Sequence, residues 1–157
     1  MISTITLLFL LLAVTLGLGG GLYEVLVIYP LWKNDVDPAM LSGKLQSSGQ
    51  LLAAKSFWPL VSPAQVLLSI INIVLASQYS GAAHKYWLAA AVIVFIGLVI
   101  TFSYFIPEMI RKIMQPENIE KARLAAIVKR WTALSPLRLV LEFTAWILLL
   151  MAWRLIQ

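Results

Sequence analysis

Residues 1–23 contain no charged side chain, and after Glu24 the apolar run resumes over residues 25–32. A stretch of this length exceeds the ~20 residues an α-helix needs to cross a bilayer core, and that leaves few other ways to fold. Two more runs, at about 57–79 and 86–108, are free of ionised groups up to Pro107. A fourth, at about 135–155, carries Arg138 and Glu142 near its start. Composition agrees: 61% of residues are hydrophobic and 12% charged, against roughly half and a quarter in a soluble domain. With the first span at about 4–31, the expected fold is an all-α, four-helix transmembrane bundle forming a single membrane domain over residues 1–157. Strands of an open sheet would leave backbone groups unsatisfied in lipid, and these runs are too long for barrel strands. The first run is not read as a signal peptide, because no Lys or Arg precedes it.

Basic residues orient the bundle. Lys33, Lys44 and Lys55 lie in the first connection, and Arg111, Lys112, Lys121, Arg123, Lys129 and Arg130 in the third, whereas Lys85 and Arg154 fall on the other side. The positive-inside rule then makes both long connections cytoplasmic and both termini external, in what is expected to be a bacterial inner membrane. The net charge of +5 reads as attraction to anionic lipid and not to nucleic acid. Both long connections are expected to hold interfacial helices. Asp37-Pro38 has the pattern of an N-cap followed by proline at the first helical position. In the third connection Leu124, Ile127, Val128 and Trp131 share a helical face, and Glu117 is spaced to pair with Lys121.

Glu24 stands about eight residues before Trp32, roughly 10 Å inside the membrane boundary at the helical rise per residue. Glu142 enters the fourth span from the same side, with Arg138 one turn nearer the surface on the same face. Polar or small residues recur at three- and four-residue spacing in the other spans: Ser62, Gln65, Ser69 and Asn72 in the second, and Gly97, Thr101, Tyr104 and Glu108 in the third. The first adds Gly17, Gly21 and Glu24. Such stripes are costly against lipid and are expected to turn inward. Two arrangements share this pattern: a functional site built on Glu24, Arg138 and Glu142, or a structural bridge among them that fixes helix register. Tyr23, Tyr29, Tyr104 and Trp131 lie beside the stripes as candidate cavity walls. Trp32, Trp58, Trp87 and Trp153 read as aromatic-belt anchors.

The residue inventory limits the chemistry. There is no cysteine, so disulfides and thiolate sites are excluded, and His84 is the only histidine. A bis-histidine haem and a ferritin-like di-iron centre are therefore impossible within one chain, and no P-loop or dinucleotide fingerprint is present. No metal or other cofactor is expected. What remains is acid-base or electrostatic work on a lipophilic molecule, or recognition without chemistry. The candidate catalytic residues are Glu24, Arg138 and Glu142, and the candidate walls are Tyr23, Gln65, Ser69, Asn72, Thr101, Tyr104 and Trp131.

The glycine-rich first helix ending GLYEVLVIYPLW, the third ending TFSYFIP and the RWTALSPLR stretch opening the fourth resemble the small four-helix membrane family that includes the anthrone oxygenases. The resemblance implies oxidation of a polycyclic aromatic anthrone to a quinone without metal or flavin, an oxidoreductase activity, with Trp131 and Arg138 at the fourth-helix entrance and Pro107 at the third-helix exit. The chain departs from that pattern at Glu108, where the family has Asn, and at Ser135 and Pro136, where a His often precedes the arginine. Two functions are thus expected in competition. One is a cytoplasm-facing polar-aromatic cavity for an aromatic or quinone-like molecule; the other is a non-enzymatic accessory or assembly subunit packed against membrane-protein partners or further copies of itself.

Overall fold

A computed structural model describes residues 2–34, 36–116 and 119–156. The described residues are almost wholly helical, and four helices are long and apolar enough to cross a membrane: α1 (Thr4–Trp32), α3 (Gln50–Gln78), α4 (His84–Met114) and α5 (Lys121–Ile156). These support an integral membrane protein with an all-α four-helix bundle. The short α2 (Pro38–Ser47) joins α1 to α3, and its N-cap is Asp37, whose carboxylate accepts the Ala39 N–H at 3.0 Å. Gly49, at φ 82°, supplies the left-handed turn between α2 and α3, a conformation that costs most other residues dearly. The pairing of Glu117 with Lys121 lies outside the described residues.

Helix boundaries differ from the hydropathy reading at one end of the bundle. α3 begins at Gln50, well before residue 57, and α5 is continuous over 36 residues from Lys121, passing through Pro136. At about 1.5 Å per residue α5 is roughly 54 Å long, so its N-terminal part extends past a ~30 Å hydrocarbon core.

Prolines account for the departures from regular helix. Wide, π-type turns occupy Glu24–Ile28, Ala53–Phe57 and Thr101–Ile110, and each lies just ahead of, or around, Pro30, Pro59 or Pro107. A proline has no N–H to give and its ring crowds the carbonyl four residues back; widening the turn relieves both. All three wide turns fall at the same end of the bundle, where the helices spread.

The interior is layered accordingly. Away from the wide turns, Leu7, Leu10, Val14, Trp87, Ala90, Ala91, Ala145 and Leu149 form a close-packed core. Tyr29, Trp32, Leu41, Leu45, Phe105, Leu124, Val128 and Trp131 form a second cluster at the other end. Glycines of α1 permit the close approach. A Cβ on Gly17 would collide with Gln65 Nε2 and lie 2.6 Å from Glu142 Oε1, and one on Gly21 would lie 2.6 Å from Leu139 Cδ2. Gly19 faces open space. Gly17→Val should therefore cost about 1–3 kcal/mol by overpacking, read as a lower melting temperature in detergent, whereas Gly19→Ala should leave the melting temperature nearly unchanged.

One exposed ion pair ties the two long connections together: Lys121 Nζ donates to Asp37 Oδ2 at 3.2 Å. That ammonium first, and the Ala39 N–H second, hold the Asp37 carboxyl below its ordinary value of 3.8. A lowered folded value means the contribution is present above pH 3.8 and is lost as pH falls below it through the folded value. Acidification below about pH 4 should therefore raise amide exchange in the first turn of α2, and Asp37→Asn, which can still cap but cannot titrate, should abolish that pH dependence.

Candidate functional site

Glu24 opens the wide turn of α1 and is 4% exposed. Its Oε1 accepts Trp58 Nε1–H at 2.7 Å and Gln50 Nε2–H at 2.9 Å, both from α3. Its Oε2 accepts Tyr29 O–H at 3.4 Å. Tyr29 also lies 3.3 Å from Ser135 Oγ on α5, and Ser135 reaches back to the Trp131 carbonyl at 2.9 Å. A buried carboxylate is tolerable only with such donors. Trp58 has a second role, because the Arg138 guanidinium carbon sits 5.3 Å from its ring centroid, a distance that gives a cation–π attraction of about 0.5–2 kcal/mol.

The three candidate catalytic residues do not form a direct bridge. Among the described residues no ion pair joins Arg138 to Glu24 or to Glu142. Glu142 instead accepts Gln65 Nε2–H at 3.0 Å, and the same amide donates to the Ala13 carbonyl at 3.1 Å. Glu24 and Arg138 are linked through the two sides of one indole, edge to the acid and face to the base. A cavity of about 450 Å³ opens beside them, walled by Glu24, Gln50, Trp58 and Arg138 together with Trp32, Ser62, Thr101, Phe102, Ile106, Ile110, Arg111 and Trp131. That volume lies in the range of small-molecule sites, roughly 300–1,000 Å³. Among the described residues, the buried side-chain polar atoms without a hydrogen-bond partner are Trp32 Nε1, Gln50 Oε1 and Arg138 Nε. All three belong to residues that border this cavity. Unsatisfied buried polar atoms are uncommon in folded proteins, and these are themselves covered, with almost no surface open to the space.

The candidate walls divide. Thr101 and Trp131 line the cavity, and Gln65 lies one layer deeper at 1% exposure, with Glu142. Ser69 is buried but donates to the Val66 carbonyl of its own helix at 2.8 Å. Asn72 belongs to the far core: it donates to the Thr6 and Leu68 carbonyls and accepts Trp87 Nε1–H at 2.8 Å. Tyr23 and Tyr104 are not on the wall; they face outward at 58% and 38% exposure, and Tyr104 accepts from Arg130 at 3.4 Å. For Tyr104 the reason is the wide turn. Thr101–Ile110 holds more residues per turn than an α-helix, so the wall runs Phe102, Ile106, Ile110, and Tyr104 and Glu108 drift off the face that a 3.6-residue period assigns them. Tyr23 precedes Glu24 by one position, which turns it away from the interior.

Gln50, Ser135 and the site role of Trp58 have no counterpart in the sequence reading. Trp32 and Trp87, expected as belt anchors, are instead almost fully buried. Among the described residues no three His, Asp or Glu side chains converge as metal ligands. No family model, curated protein or solved structure matches the chain. Trp58→Phe keeps a ring face for Arg138 but removes the N–H from Glu24, and should cost about 1.5–3 kcal/mol in thermal unfolding. Trp58→Leu, which loses both contacts, should cost more.

Proposed function

We propose that the protein binds a lipophilic aromatic or quinone-like small molecule in the cavity between the wide turns of α1, α3 and α4, within the cytoplasmic half of the membrane. The observation that carries this reading is a roughly 450 Å³ space bordered mostly by apolar side chains together with Glu24, Gln50, Trp58 and Arg138. A mostly apolar wall with a few polar groups selects a greasy body with a polar head. Among the described residues Arg138 has no carboxylate within ion-pair reach, so its charge is available to an acceptor oxygen or an anion. The cytoplasmic placement follows from the Lys and Arg distribution across the connections.

The reading extends to chemistry of the anthrone-oxygenase kind, with dioxygen as the oxidant. Oε1 of Glu24 is committed to two N–H donors, so Oε2, which holds only the long 3.4 Å hydrogen bond from Tyr29, would take the proton from an activated C–H or phenol and Arg138 would stabilise the resulting anion. Glu142 does not line the main cavity but borders the smaller adjoining chamber with Arg138.

Extraction of protein purified in mild detergent, followed by mass spectrometry, should recover an aromatic molecule in near-stoichiometric amount. Ile106→Trp, which fills the cavity, should lose it while melting cooperatively. Glu24→Gln should retain the ligand but fail to oxidise an added anthrone. Recovery of equal ligand from wild type and the filled variant would reject the cavity as its site. A stoichiometric protein partner with no organic molecule would favour an accessory subunit instead.

A further inference from the structure

We propose that Glu142 positions the Arg138 guanidinium through bridging water held in a small chamber behind the main cavity, and that it does not itself meet the ligand. The chamber has a volume of about 40 Å³. It shares Trp58, Ser62, Thr101 and Arg138 with the main cavity and is closed at its inner end by Gln65 and Glu142.

Arg138 and Glu142 are one helical turn apart on the same face of α5, where a direct bridge would ordinarily form. They form none within 4.0 Å. Gln65 supplies the reason. Its amide nitrogen donates both to Glu142 Oε1, at 3.0 Å, and to the Ala13 carbonyl, at 3.1 Å, so the carboxylate is drawn toward α1. Gly17 leaves the room for this, since a Cβ there would strike both Gln65 and Glu142. Arg138 and Glu142 are both partly covered and the Arg138 Nε–H has no partner; a guanidinium and a carboxylate a turn apart in a low-dielectric layer are costly unless something joins them. Water fits. The chamber exceeds the ~10–15 Å³ that one water needs, and water is stable in such a place when it finds two to four polar partners. Arg138, Glu142, Ser62 and Thr101 all border it.

A water bridge neutralises Arg138 from behind while leaving its other side to the main cavity, which a tight bidentate pair would not. The inference concerns the cavity of the proposed function, but its test needs no ligand, so either can fail alone.

The Arg138 Nε–H resonance of ¹⁵N-labelled protein in detergent micelles serves as the reporter, assigned by its loss in Arg138→Lys. Glu142→Gln removes the charge and keeps an acceptor for Gln65. Gly97→Ala and Gly97→Val add methyl groups at a chamber wall where a Cβ meets no atom within 4 Å, and they touch neither ionic group. The resonance should exchange magnetisation with water in the wild type, shift in Glu142→Gln, and shift progressively from Gly97→Ala to Gly97→Val with loss of that exchange. A resonance indifferent to Glu142→Gln would overturn the positioning role. One that moves with Glu142→Gln yet ignores both Gly97 variants would replace the water bridge by a direct contact. Should Gly97→Val not fold, Gly97→Ala decides alone.

Discussion

A carboxylate buried within the bundle has to be surrounded by donors, and the demands of Glu24 organise the end of the molecule where the site lies. Its donors come from Tyr29, further along its own helix, and from Gln50 and Trp58 on α3. Satisfying it fixes the early start of α3, the rotation of the Trp58 indole and, through Tyr29 and Ser135, the approach of α5. Arg138 then takes its place on the free face of that indole. The two opposite charges are held near each other without collapsing into a pair, and both residues border the cavity.

The cavity itself comes from a different source. Straight helices bearing these apolar surfaces would close on one another, as they do around Trp87 and Ala90 in the far core. Proline at three positions widens the helices at the opposite end, and of the aromatic cluster of Tyr29, Phe105 and Trp131 only Trp131 reaches the cavity wall. The bundle therefore combines a compact half, which supplies stability, with a splayed half, which supplies volume.

The helix count, the capped start of α2 at Asp37 and the inward turn of Gln65, Ser69 and Asn72 were legible in the sequence, because hydropathy and a 3.6-residue period govern regular helix. Glu24 was legible as a buried acid for the same reason. Tyr104 was not, since the period changes at Thr101–Ile110 and counting in threes and fours loses phase there. Gln50 was hidden by the weak helix signal around Gly43 and Gly49. Trp58 illustrates a different limit: a tryptophan near a membrane boundary satisfies the belt pattern equally well whether its N–H faces headgroups or a carboxylate. The prolines were the available clue, for each wide turn sits beside one.

The ten-residue wide turn in α4 makes the cavity lining sensitive to chain length as well as to residue identity. Deleting one residue there would let the backbone relax toward ordinary helix and re-index the segment, bringing a tyrosine or an acid where phenylalanine and isoleucine now stand. Related chains could thus change the chemistry of this lining by a change of spacing alone, with every side chain on the opposing helices kept.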